Sequence, residues 1–194
     1  METDAPVKKK NPAAFFIDIA EAVVTAIVAA IFIITLICRI GYVSGGSMLS
    51  TMSNGDRYIV SNLFYTPQAG DIIVFQPETE EDGETLYVKR IIALGGQTVD
   101  ITLNENSEYA VYVDGVELQE PYLDEHQITY PSGYPPADDF DELHVQVPEG
   151  HVFVMGDNRL ESKDSRVIGC IDVRRIVGKV LLRFYPLDKF GTVD

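Results

Sequence analysis

Three short stretches of this chain combine residue types that can do chemistry. In "GGSM" a serine, Ser47, follows two glycines. Glycine lets the backbone approach closely or adopt positive φ. A serine nucleophile needs that freedom, with an exposed hydroxyl and open N–H groups facing a developing oxyanion. Taken alone, the same letters also read as a Gly/Ser tether. In "LYVKRIIAL", strand alternation puts Lys89 on the face of Tyr87, Ile91 and Ala93, and Arg90 on the face of Val88 and Ile92. Lysine is rarely buried without a partner. Desolvation lowers its pKa, and a neutral amine is a usable general base. The simpler reading is an edge strand whose cations snorkel to water. In "FVMGDNRLESKDSRVIG", a strand runs into a knot of Asp157, Asn158, Arg159, Ser162, Asp164, Ser165 and Arg166. Such a density of hydrogen-bonding groups beside an apolar strand suggests a fixed, buried network. An Asx-type turn explains "GDN" but leaves "SKDSR" unaccounted for.

The elements that must position these groups are mostly strands. "RYIVSNLFY", "DIIVFQ", "LYVKRIIAL", "QTVDITL", "EYAVYVDGVEL", "LHVQV", "HVFVMGD" and "RIVGKVLLRFY" are short and rich in β-branched and aromatic residues. Turn formers separate them. Asp114–Gly115 is a type I′ hairpin signal. No segment after Cys38 holds a helical period over eleven or more residues. Two acidic stretches, Pro77–Thr85 and Gln119–Glu142, read as solvated surface loops without catalytic logic.

Upstream lies "AVVTAIVAAIFIITLIC", Ala22–Cys38, which carries no charge. As a helix it spans about 25 Å, a little short of a hydrocarbon core of about 30 Å; the preceding "FFIDIA" lengthens it. Lys8–Lys10 precede it and Arg39 follows, so the positive-inside rule puts the N-terminus in the cytoplasm. A cleavable signal peptide is the rival reading, with "VSGG" as its cleavage site. The apolar run is long for that, and Arg39 follows it directly. The expected organisation is a cytoplasmic segment at 1–14, a transmembrane helix at 15–39, and an extracytoplasmic β domain at 40–194 with a variable excursion at about 104–147.

Bulk properties narrow the field. A length of 194 residues suits one domain with an appendage. The net charge of −15 lies wholly beyond residue 39, since the first 39 residues carry four charges of each sign. Phosphate binding needs a basic face, so a nucleic-acid partner is excluded. The only cysteines, Cys38 and Cys170, lack metal-type spacing and are expected to be free thiols.

In order along the chain, these stretches resemble the motifs of bacterial type I signal peptidases, the membrane-bound Ser/Lys proteases that remove secretory signal peptides. "VSGGSMLSTM" looks like the nucleophile box, "GDIIVF" like a structural strand, "LYVKRIIALGG" like the lysine box, and "VFVMGDNRLESKDSRVIG" like the last box, the most specific of the set. The resemblance runs from Val43 to Gly169 and is loose between Thr98 and His151. It implies a mainly β, antiparallel catalytic domain of signal-peptidase type. It implies Ser47 as nucleophile and Lys89 as general base, with Ser162 hydrogen-bonded to the lysine. Asp164 and Arg166 would hold the site together, and Asp157 would pair with Arg90. Neither cofactor nor metal is implied. The implied partners are preproteins with small residues at the −1 and −3 positions, the lipid bilayer of the plasma membrane, and the neighbourhood of the secretion translocon.

The chain departs from the pattern at three places. Ser50 replaces a usual proline and Met52 a usual leucine. Gly45 stands where some members carry a serine that helps form the oxyanion hole, which leaves a water, Ser44 or nothing as the second donor. Relatives that use histidine as base are not matched, because His126, His144 and His151 lie outside the lysine box. Ser47 lies nine residues beyond Cys38, at most about 30 Å of extended chain, which suits a substrate held in the same bilayer. Tyr42, Val43, Leu49 and Met52 are candidates to line small pockets or touch lipid. A self-cleaving Ser/Lys protease of repressor type predicts a DNA-binding N-terminus, which the apolar stretch contradicts. A non-enzymatic anchored β domain leaves the lysine unexplained.

Overall fold

The structure, a computed structural model, describes residues 12–78, 85–124, 127–132 and 142–193. Lys8–Lys10, His126 and the centres of both acidic stretches lie outside the described residues. The chain divides into two compact units, Met1–Ile37 and Cys38–Asp194.

The first unit contains helix α1, Pro12–Ile37. Its window Phe15–Phe32 is long and apolar enough to cross a membrane, and none of that window is buried. A helix that is apolar all round suits lipid as its surroundings. The helix ends at Ile37 because Cys38 and Arg39 already pair with a strand.

The second unit is built from antiparallel strands: β1 (Cys38–Tyr42), β2 (Arg57–Ser61), β3 (Ile72–Phe75), β4 (Tyr87–Leu94), β5 (Thr98–Leu103), β6 (Tyr109–Val113), β7 (Val116–Glu117), β8 (Leu143–Gln146), β9 (His151–Met155), β10 (Ile171–Asp172) and β11 (Ile176–Tyr185). A single helical turn, α2 (Ser165–Ile168), follows β9. Seven strands form one sheet in the order β1-β2-β11-β3-β4-β9-β10, and four form a second in the order β7-β6-β5-β8. The eight expected strand segments all contain strands. β1 and β10 are additions, one hidden at the end of the apolar run and the other only two residues long. At the β6–β7 hairpin, Asp114 and Gly115 both have positive φ, as a type I′ turn requires.

The order of the large sheet determines what surrounds the site. β3 is buried on both faces: Ile72 and Val74 enter one apolar cluster, and Ile73 and Phe75 another. Period-two alternation thus serves two cores at once. β4 lies between β3 and β9, so Lys89 and Arg90 are on an interior strand, not an edge. A register shift between Ile91 and Ala93 breaks the expected alternation. The bulge puts Ala93 in the same cluster as Ile92, not on the face of Ile91. That cluster joins the two sheets through Val99, Ile101, Val111, Phe153 and Met155.

Phe153 is fully buried at this junction. Phe153→Ala is expected to cost about 3–5 kcal/mol. The measurement is a urea unfolding midpoint, and an unchanged midpoint would show that the junction contributes little.

Candidate active site

Ser47 sits in a turn whose apolar residues anchor it. Val43, Met48 and Met52 are buried in the cluster that contains Ile72, Val74 and Val180. Met52 is therefore a core residue, while Leu49 is exposed; neither lines the groove at the serine, whereas Tyr42 and Val43 do. The backbone of the turn is held from the polar knot. The Asn158 N–H donates to the Ser47 carbonyl at 3.0 Å, and Asn158 Nδ2 donates to the Gly46 carbonyl at 3.0 Å. Gly156 makes this approach feasible: a Cβ there would lie 2.4 Å from the Ser47 carbonyl oxygen and 2.3 Å from Ser162 Oγ.

Lys89 reaches the same turn from β4. Its Nζ lies 2.6 Å from Ser47 Oγ, and only 4% of the residue is exposed. Burial pushes the amine down from 10.5 to about 8; Asp164 and Asp157 pull it back up and Arg166 pushes it further down. The ammonium form loses hydration that nothing nearby fully replaces, so the balance moves toward the neutral amine, which prevails above about pH 8. In that form the serine hydroxyl donates its proton toward the lysine nitrogen.

Around this pair lies a nearly closed set of ionic contacts. Arg90 is bidentate to Asp157, with Nε–Oδ1 at 3.0 Å and Nη2–Oδ2 at 2.8 Å, and its third donor goes to the Gly70 carbonyl. Asp157 also accepts a short hydrogen bond from the Thr51 hydroxyl, which ties the serine turn to the lysine strand. Asp164 caps α2 and receives Arg166 Nε and Nη2 at 2.9 and 2.8 Å, plus the Gly156 N–H at 3.0 Å. Burial drives the Asp164 carboxyl up, but Arg166 and the Gly156 N–H outweigh it, so its pKa lies below the usual value. Ser162 Oγ is buried beside Asp164, where it helps to hold that carboxyl below its usual value, and among the described residues no hydrogen bond joins it to Lys89. Gly45 has φ +106°, and its N–H is committed to Asn54 Oδ1 at 3.1 Å. No hydrogen bond uses the Ser47 N–H among the described residues, so it can face an oxyanion.

Two residues of this network were not singled out from the sequence beyond their presence in the knot. Asn158 clamps the serine backbone. Arg159, 1% exposed, donates to the Gly156 carbonyl at 3.0 Å and pairs with Glu120. The Glu120 contact corrects the reading of Gln119–Glu142 as a solvated loop. Thr129 is buried against Arg159, and Tyr130 accepts from Arg166. The physical reason is charge: a buried guanidinium needs a counterion, and Glu120 supplies it.

Ser47 and Lys89 open onto a groove of about 750 Å³, lined on one side by Ile40–Met48 and on the other by Thr85–Lys89, with Glu161 and Lys163 also on its wall. Among the described residues no group of acidic, histidine or cysteine side chains forms a metal site. His144 is exposed beside Asp100, and His151 contacts the Glu149 carbonyl. Both cysteines are free.

A family model described as "Signal peptidase, peptidase S26" matches residues 16–185. The chain is 39% identical to a probable signal peptidase I-1 of Synechocystis sp., over 86% of this chain and 81% of that protein. It is 37% identical to a signal peptidase I of Bacillus caldolyticus, over 77% and 80%. It is 34% identical to a signal peptidase IB of Staphylococcus aureus, over 94% of each. A solved signal peptidase I from Enterococcus faecalis V583 aligns with a TM-score of 0.44 at 28% identity, covering 59% of this chain and 97% of that one. On the family match and on the 39%, 37% and 34% identities, the chain belongs to the signal peptidase family, peptidase S26.

Proposed function

We propose that this chain is a membrane-bound serine endopeptidase that removes N-terminal signal peptides from secreted preproteins, with Ser47 as nucleophile and Lys89 as general base. The observation that carries the dyad is the 2.6 Å separation of Lys89 Nζ and Ser47 Oγ with the lysine buried and its pKa lowered to about 8. Family membership supports the reaction class.

Neutral Lys89 takes the Ser47 proton as Oγ attacks the scissile carbonyl. The oxyanion develops against the Ser47 N–H. Lys89 returns the proton to the leaving amine, and then activates the water that hydrolyses the acyl-enzyme. A positioned base contributes typically about 10²–10⁴-fold, and one oxyanion donor about 10²–10³-fold. Arg90 with Asp157, and Arg166 with Asp164, hold the two reacting segments in register. Ser162 lies beside them, and Gly45 leaves the groove wall open. No cofactor or metal takes part.

The groove suits an extended peptide whose small −1 and −3 side chains enter beside Tyr42 and Val43. Helix α1 serves as a single-pass anchor in the plasma membrane. Lys8–Lys10 stay on the cytoplasmic side, and the catalytic domain faces outward, near the translocon.

Ser47→Ala and Lys89→Ala are each expected to abolish cleavage of a model preprotein while the circular dichroism spectrum stays unchanged; full activity in either variant would remove the dyad. The pH dependence follows from the lowered lysine pKa. Activity should be half-maximal near pH 8 and fall about tenfold per unit below it as Lys89 gains its proton; a flat kcat/KM profile from pH 9 to pH 5 would exclude a lysine base. Gly156→Ala, which drives a methyl group into the Ser47 carbonyl, should lower kcat by about 10²-fold or more. Wild-type turnover in that variant would mean that the serine turn does not depend on this approach.

A further inference from the structure

Two stretches of the acidic excursion, 120–124 and 127–130, touch all three segments that carry the chemistry. The Arg90 guanidinium lies over the Tyr122 ring, with Cζ 3.9 Å from the ring centroid. The Tyr122 carbonyl accepts from the Ser50 hydroxyl at 3.1 Å. Its phenol donates to Glu120 Oε1 at 2.8 Å, and Glu120 pairs with Arg159. Gln127 Oε1 accepts the Arg159 N–H at 2.9 Å, Thr129 Oγ1 accepts from Arg159 Nη1 at 2.8 Å, and the Tyr130 carbonyl accepts from Arg166 Nη1 at 3.1 Å.

Each contact lands on a group one step from the reacting atoms. Arg90 adjoins Lys89 and pairs with Asp157. Arg159 adjoins Asn158, which holds the Ser47 carbonyl. Arg166 pairs with Asp164. Ser50, three residues after Ser47, has φ +87°, a conformation that a side-chain-bearing residue keeps only when its surroundings hold it there. Its hydroxyl is tied to the Tyr122 carbonyl. Neither Glu120 nor Tyr122 lines the groove.

We infer that these stretches form a brace that sets the serine turn against the lysine strand, with Tyr122 as a positioning residue acting through Arg90 and Ser50. Its aromatic face covers the guanidinium and keeps water from the Arg90–Asp157 pair, a stacking that an aliphatic side chain does not reproduce. Glu120 fixes the ring from its phenol end. Because the brace stands apart from the groove, it affects the geometry of attack and leaves peptide binding alone. Misplacement of a reacting pair by about 1 Å costs about 10²-fold.

The inference rests on the Ser47–Lys89 reading, and the test separates the two. Full-length protein in detergent is assayed on a synthetic preprotein as wild type, Tyr122→Ala, Tyr122→Phe and Ser47→Ala. Tyr122→Ala is expected to lower kcat by about tenfold or more with KM within about twofold. Tyr122→Phe keeps the ring over Arg90 and should recover most of kcat. Where Tyr122→Ala does not fold by circular dichroism, Tyr122→Leu replaces it with the same expectation. A folded Tyr122→Ala or Tyr122→Leu with wild-type kcat, a change confined to KM, or a Phe variant as slow as Ala would each overturn the brace. An active Ser47→Ala would overturn the dyad; an inactive Ser47→Ala beside a wild-type Tyr122→Ala would overturn the brace alone.

Discussion

Lys89 lies in the middle of a sheet with its amine against a serine hydroxyl, and burial more than any neighbouring cation lowers its pKa. An interior strand is the only kind that can do this, because an edge strand would let a four-carbon stem carry its charge to water. β3 and β9 close off both sides of β4, and the apolar clusters on the two faces of β3 exclude solvent further. The sheet order is thus a condition for a neutral amine as much as it is a scaffold.

The surrounding polar network follows from the same constraint. Arg90, Arg159 and Arg166 are buried, and each meets a carboxylate: Asp157, Glu120 and Asp164 respectively. Because each of these acids is engaged by an arginine, the pull of Asp164 and Asp157 on Lys89 does not outweigh its burial. A carboxylate bound to Lys89 alone would raise its pKa and hold the proton in place. Asp157 has a second task. By accepting from both Arg90 and Thr51 it joins the strand of the amine to the turn of the hydroxyl. Fixed hydrogen bonds of this kind cost nothing in reorganisation when charge develops.

Shape and chemistry agree at the groove. The chain that carries the serine forms one wall and the chain leading into the lysine strand forms the other, so both proposed reacting groups line the same groove. The helix long and apolar enough to cross a bilayer precedes β1 with no intervening residue.

Local pattern made much of this legible. Alternating β-branched residues marked the strands, "DG" marked the hairpin, and the unbroken apolar run marked the helix, because each of these depends on residues close together in sequence. The types and order of Ser47, Lys89 and the "GDNRLESKDSR" knot pointed to the family before any distance was known. The bulge at Ile91–Ala93, the strand β1 and the contacts of Glu120, Thr129 and Tyr130 with buried arginines were not legible. A bulge is set by the partner strand, and the counterion of Arg159 lies 39 residues away in a stretch whose acidity looks like solvated surface. The sequence by itself determined which groups are present and which elements carry them. Only the tertiary structure decided that the lysine is interior, that three arginines each meet a carboxylate, and that Glu120 in an acidic excursion supplies one of them, because burial and charge pairing depend on residues distant in sequence.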